Sequence, residues 1–326
     1  MNNINKILIL RFGAIGDVVH STALFRSIKE KYPHVSIHYA AFRAPAANIQ
    51  NDPDLDKVWI IEGKSYKQLW KLAKELKKEN FDAFINLQPG IRTRIFSLML
   101  GMPRTITYRK TFKLHAVENF WQTGKKLFKD LELPKKLHIY IKEEIKNKAA
   151  GMLDKKGMVI AFNMGVSFTR QGRRWPQEYW RELAKKLLEK YECEIILTGS
   201  QDDKEFSEAL LDISPKVRSF CGKVSIEENT ALLSLCDLVI SGDTGPLHIA
   251  TAVGVPAIGL YGAAPVSRTG PYGLNYTALY SDKECVPCNR RKCKYLKQNE
   301  IYTPCLMDIM PEQVLKTTAK LLLEKI

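Results

Sequence analysis

Apolar positions along the chain fall into two alternating patterns, short β-rich runs and longer stretches at helical spacing. Residues 7–11 form a short β-rich run that predicts a strand, followed by a glycine-containing turn at residues 12–16. From Asp17 to Lys31 the apolar positions Val18, Leu24, Phe25 and Ile28 recur at helical spacing. Pro33 stops that helix, and residues 35–41 read as a second strand. Residues 58–61 predict a third strand, residues 66–78 an amphipathic helix and residues 81–87 a further strand. Strand and helix in this order imply parallel βαβ units.

The pattern restarts after a charged, lysine-rich stretch at residues 134–157. Residues 158–162 predict a strand, and 177–191 a helix whose apolar face carries Tyr179, Trp180, Leu183 and Leu187. Strands at 194–198, 237–241 and 257–261 alternate with helices at 230–235 and 246–253, and residues 311–325 make a terminal helix. A chain of 326 residues is long for a single core and suits two. The expected fold is therefore α/β, with two doubly wound domains, residues 1–150 and 151–326. Ligands of such sheets bind at the carboxyl ends of the strands, so the loops there are where chemistry belongs.

Charge changes this picture. The net charge is +15, and residues 1–150 hold 27 Lys and Arg against 14 Asp and Glu, whereas residues 151–326 hold 23 against 21. A basic half beside a nearly neutral one points to an anionic partner for the first half: nucleic acid, a membrane surface or a phosphorylated glycolipid. The competing reading is a set of solvated helices decorated with lysine, as at residues 71–78. Apolar residues make up 45% and charged residues 26%, as in a folded globular chain. The apolar run at 7–10 ends at Arg11, which fits a buried strand and not a signal peptide. No stretch approaches the roughly 20 apolar residues that span a bilayer. The expected location is cytoplasmic, with any membrane contact peripheral.

Three loops carry candidate chemistry. In the first, Gly13 and Gly16 let backbone approach a ligand at a helix start, and Asp17 follows. The spacing Gly13-x-x-Gly16 is not Gly-x-Gly-x-x-Gly, and the second strand runs into Phe42 and Arg43 with no acidic residue for a ribose, which argues against a nicotinamide site. Asp17 has two roles open to it, a helix cap or a general base for an acceptor hydroxyl. In the second loop, Asp243, Thr244 and Gly245 precede Pro246 and His248, so a strand end delivers a helix N-terminus that suits a pyrophosphate. His248 fits either a packed core position or a ligand contact. In the third, Arg173 and Arg174 stand before Trp175-Pro176, and adjacent guanidinium groups bind phosphate oxygens well.

In this order and at these distances, the three loops resemble glycosyltransferase family 9, the ADP-heptose:lipopolysaccharide heptosyltransferases, along nearly the whole chain. Residues 7–17 resemble the family's opening strand and Gly-Asp. Residues 83–94, with Asn86-Leu87-Gln88, resemble its Asp-Leu-Gln segment with Asn in place of Asp. Residues 243–260 resemble its most recognisable block, 262–273 continue it, and 311–315 resemble the start of its last helix. The resemblance implies a GT-B fold, two Rossmann-like domains facing a central cleft, with the last helix returning to the N-terminal domain. It implies an inverting transfer of heptose from ADP-heptose to an anionic lipopolysaccharide inner-core acceptor, with no metal in the chemistry.

Residue by residue, the resemblance implies Asp17 as catalytic base and Asp243, Thr244, Gly245 and His248 as the donor-binding block. The family's lysine two residues before Trp-Pro is here Arg173, followed by Arg174. Arg92, Arg94, Arg104 and Lys113 are candidates for the anionic acceptor. Cys285, Cys288, Cys293 and Cys305 offer a C-x2-C pair and two further thiols, which suggests either a structural Zn or Fe site or reduced thiols in a packed loop. Another sugar, or a protein or capsule acceptor, is the nearest alternative. A nucleic-acid-binding protein has only the net charge in its favour, without a recognition motif, and a nucleotide-sugar epimerase shares the two-domain architecture.

Overall fold

A computed structural model describes residues 4–102, 104–154, 156–166, 174–273, 275–290, 292–298 and 300–323. The chain forms two compact units, Met1–Ile141 and Lys142–Ile326.

The first unit holds strands β1 (Lys6–Leu10), β2 (Ser36–Phe42), β3 (Lys57–Ile61), β4 (Ala83–Asn86) and β5 (Thr105–Thr107). They form one parallel sheet in the order β3-β2-β1-β4-β5. The helices are α1 (Ile15–Lys31), α2 (Arg43–Ala46), α3 (Tyr66–Lys77), α4 (Ile91–Leu100) and α5 (Ala116–Lys125). Strand β1 shows why its sequence is apolar throughout. Ile7 and Ile9 point into a core shared with α1 and α5, while Leu8 and Leu10 point into a core shared with α3 and α4. A strand covered on both faces has no polar side.

The second unit opens with α6 (Glu143–Ala150) and continues through β6 (Met158–Asn163), α7 (Gln177–Lys190), β7 (Cys193–Thr198), α8 (Lys204–Glu208) and β8 (Val217–Ser219). Then follow α9 (Ile226–Ser234), β9 (Leu238–Gly242), α10 (Gly245–Ala252), β10 (Ala257–Tyr261), α11 (Val266–Thr269), β11 (Tyr276–Tyr280), α12 (Pro304–Met307) and α13 (Pro311–Leu323). Its sheet is also parallel, ordered β11-β10-β9-β6-β7-β8.

One boundary differs from the sequence expectation. Helix α6 was expected in the first domain, but it packs on α9 and belongs to the second unit. Lys148 on α6 pairs with Glu228 on α9, and just beyond the helix the Asp154 amide donates to Glu194 at 2.9 Å. The terminal helix α13 was expected to return to the N-terminal domain. It packs on α7 and on β10 and β11, with Val314, Leu315 and Leu321 in the second unit's core.

Candidate functional site

In each sheet the winding reverses at one place, between β1 and β4 in the first unit and between β6 and β9 in the second. The connections leave such a switch point in opposite directions and open a crevice at the strands' carboxyl ends. Two of the three loops singled out in the sequence leave β1 and β9, so both begin at a switch point.

In the first unit, residues 11–14 turn from β1 into α1. Gly13 sits at a φ of 155°, and a Cβ there would come within 3.1 Å of the Pro45 ring, so both backbone and space favour glycine. The turn puts Asp17 in the first turn of α1. Its Oδ2 accepts from the Arg11 guanidinium at 2.6 Å and from the Ala14 amide at 3.3 Å. Among the described residues nothing donates to Oδ1, and the side chain stays 31% exposed. The capping role and an open carboxylate oxygen therefore coexist in one residue.

Arg11 closes this arrangement. It is 8% exposed, donates to the Leu87 carbonyl at 2.7 Å and lies 5.3 Å from the Phe120 ring centroid. The Leu87 bond spans the switch point, since Leu87 directly follows β4. Beside it, the Gln88 amide donates to the buried Asn86 Oδ1 at 3.0 Å, a local turn that fixes the end of β4. Sequence reasoning missed Arg11. Its signal was a cation ending an otherwise apolar strand just before the glycine turn.

In the second unit, Asn163 ends β6 and its amide donates to Ser241 Oγ at 3.0 Å and to Thr244 Oγ1 at 2.8 Å. Those bonds cross the β6–β9 switch point and pin the loop that starts α10. Asn163 was also missed; a polar residue closing an apolar strand was again the signal. Gly245 is the first residue of α10, where an amide has no partner within the helix. Asp243, Thr244 and Gly245 are half-buried, and His248 is buried on α10. Burial, with Asp243 nearby adding to it, pushes the Tyr261 phenol well above its ordinary range. The phenol stays protonated and donates to the Thr269 carbonyl at 3.0 Å.

The third loop divides. Arg173 lies outside the described residues. Arg174 donates to Asp203 at 2.8 Å and lies over the Phe206 ring, while Asp203 also accepts from the Ser200 amide and hydroxyl. Trp175 is buried and donates to the Ile309 carbonyl at 2.8 Å. Arg174 is thus engaged by Asp203, a contact that the sequence did not reveal.

The four acceptor candidates sit on three segments of the first unit. Arg92 and Arg94 are exposed in the first turn of α4, Arg104 precedes β5, and Lys113 is exposed in the loop before α5. Among the described residues none of the four makes an ion pair.

Two features bear on metal binding. No group of three or more His, Cys, Asp or Glu converges to hold a metal among the described residues. Cys285, Cys288 and Cys293 are half-buried and Cys305 is buried, all four as free thiols. Burial chiefly raises the Cys305 thiol, with the other three contributing through their charge. The other three thiols lie close enough for their charge to act on Cys305, and none of the four is in a disulfide. The acidic run Asp52-Pro53-Asp54-Leu55-Asp56 has Asp-x-Asp spacing, yet its carboxylates are engaged structurally. Asp52 and Asp54 face Arg26 at 3.5 and 3.2 Å, and Asp56 accepts from Lys29 and from the Ile37 amide.

Two parallel sheets, each with a ligand-type loop at its switch point, are the architecture of the GT-B class. The chain belongs to glycosyltransferase family 9 (heptosyltransferase), whose sequence profile matches residues 69–299. It is 27% identical to lipooligosaccharide heptosyltransferase 2 of Campylobacter jejuni, over 94% of this chain and 96% of that one. Among solved structures, E. coli ADP-heptose lps heptosyltransferase II superposes with a TM-score of 0.81 at 21% identity, covering 98% of this chain and 99% of that one. E. coli heptosyltransferase WaaC with ADP gives a TM-score of 0.72 at 18% identity, covering 97% of this chain and 99% of that one.

Proposed function

We propose that this enzyme transfers heptose from ADP-heptose to an anionic inner-core acceptor of lipopolysaccharide, with inversion at the anomeric carbon. The observation that carries the reading is the Asp17 carboxylate at the first switch point, with Oδ2 held by Arg11 and Oδ1 left open. The relative from Campylobacter jejuni is a lipooligosaccharide heptosyltransferase, and WaaC was solved with ADP; both support the choice of sugar and nucleotide.

The acceptor hydroxyl oxygen attacks the anomeric carbon while its proton passes to Asp17 Oδ1. The bond from that carbon to the diphosphate oxygen breaks, and the electron pair leaves with ADP. Attack opposite the leaving group inverts the centre. The Gly245 amide and the positive end of α10 offset charge growing on the diphosphate. The Asp243 carboxylate binds sugar hydroxyls, His248 supports the same turn, and Arg173 meets the diphosphate. Arg92, Arg94, Arg104 and Lys113 supply the field that draws an anionic acceptor to the first unit. No described helix is long and apolar enough to cross a membrane, and the proposed reaction takes place at the cytoplasmic face of the inner membrane through peripheral contact.

The test is a thermal-shift panel of ADP, UDP and GDP, followed by product analysis with ADP-heptose and an inner-core acceptor. Stabilisation by ADP above the other two, and a heptosylated product of inverted configuration, are expected. Preference for UDP or GDP, or a retained configuration, would refute the assignment.

A further inference from the structure

Helices α3 and α4 cover the same face of the first sheet and pack against each other. Their inward positions, Leu69, Ala73 and Leu76 on α3 and Phe96 and Leu100 on α4, fill the core below. Their outward positions are not those of a solvated face. On α3, Tyr66 and Trp70 are exposed among Lys67, Lys71, Lys74 and Lys77, and the Lys74 ammonium sits 3.6 Å from the Trp70 ring centroid. On α4, Ile91 and Leu98 are 73% and 80% exposed, with Arg94 between them on the same stripe and Arg92 beside it. The two helices together carry six Lys and Arg and one acidic residue, Glu75.

A solvated face has no use for four large apolar side chains presented outward on two adjoining helices. A nucleic acid would reward the cations and leave Ile91 and Leu98 unused. A second copy of the same face would bring like charges together. An anionic bilayer surface uses every component. Aliphatic side chains enter the acyl boundary, Tyr and Trp sit at headgroup depth, and lysines reach back to the phosphates along their stems. We infer that the outward face of α3 and α4 docks this enzyme on an anionic phospholipid surface. Docking there is independent of donor and acceptor identity, and it is tested with vesicles that contain neither.

The experiment is co-sedimentation of the full chain with phosphatidylglycerol–phosphatidylcholine vesicles and with pure phosphatidylcholine vesicles. Binding to the anionic vesicles, weakened by salt, is expected. The double variant Ile91→Ser/Leu98→Ser should lower partitioning by about tenfold, and Lys71→Glu/Lys74→Glu by about fivefold or more per lysine. Lys185→Glu/Lys316→Glu, in the second unit, should leave partitioning unchanged. All variants should keep the wild-type circular dichroism spectrum, and the Ile91/Leu98 variant should keep its rate on a soluble acceptor fragment. Equal partitioning of wild type and the Ile91/Leu98 variant would overturn the inference. So would absence of binding to the anionic vesicles.

Discussion

The two oxygens of Asp17 are unequal, and the proposed chemistry depends on that difference. A charge-assisted bond from Arg11 fixes Oδ2 at 2.6 Å, which sets the direction in which Oδ1 can accept. Arg11→Lys keeps the charge but cannot reach both Leu87 and Asp17 with one fork. That variant should lower kcat by about 10- to 100-fold with a smaller change in KM, as read from steady-state rates. On the donor side, Asn163→Ala removes the two bonds that pin Ser241 and Thr244. A loss of about 1 kcal/mol in ADP affinity is expected by calorimetry, since the Ser241 and Thr244 hydroxyls lose a shared donor and keep only each other and the Gly242 carbonyl. The thiols sort by environment. Burial pushes Cys193 up to about 11 and also raises Cys221 and Cys305. Iodoacetamide at neutral pH should therefore label Cys285, Cys288 and Cys293 first, with mass spectrometry reading the order.

Among the elements, Glu79 acts as a clamp just past α3. It accepts from Lys6 on β1 and from Lys57 on β3, and these two bonds hold its carboxyl down at about 2. A free glutamate titrates near 4.3, so the folded state gains stability from Glu79 above that value and loses it as pH falls toward about 2. Glu79→Gln should lower Tm at neutral pH by no more than about 2–4 °C. The difference from wild type should close as pH approaches 2, which a pH series of melting curves will show. The central strands and amphipathic helices were legible in the sequence because burial writes itself as apolar runs and spaced stripes. Strand β10 and helix α3 are such cases. Strand β5 was not legible, because a three-residue edge strand with Thr105 and Thr107 carries no period. Helix α4 was hidden for another reason: Ile91 and Leu98 on its outward side erase the contrast that marks an amphipathic helix. The feature that obscured α4 is the one assigned above to a bilayer surface.

At the scale of the whole molecule, the two units differ in charge. The first holds 24 Lys and Arg against 12 Asp and Glu, the second 26 against 23. A field concentrated on one unit steers anionic partners and is screened over about 8 Å at physiological salt. The rate of transfer to a phosphorylated acceptor should therefore fall steeply between low and physiological ionic strength, while ADP binding changes less. The two-sheet plan was readable from alternating patterns alone, and the ends of β1 and β9 marked where to look. Pairings across strands, such as Arg11 with Leu87 and Asn163 with Ser241, were not readable, because they join residues over 70 positions apart. Arg174 shows the converse: its neighbours in sequence suggested phosphate, and its neighbour in space is Asp203.

The most direct test of the account is heptose transfer by Asp17→Asn, measured beside its affinity for ADP. The account predicts ADP affinity close to wild type and a fall in turnover of about 10²- to 10⁴-fold, the contribution of a general base. Wild-type turnover in that variant would contradict it.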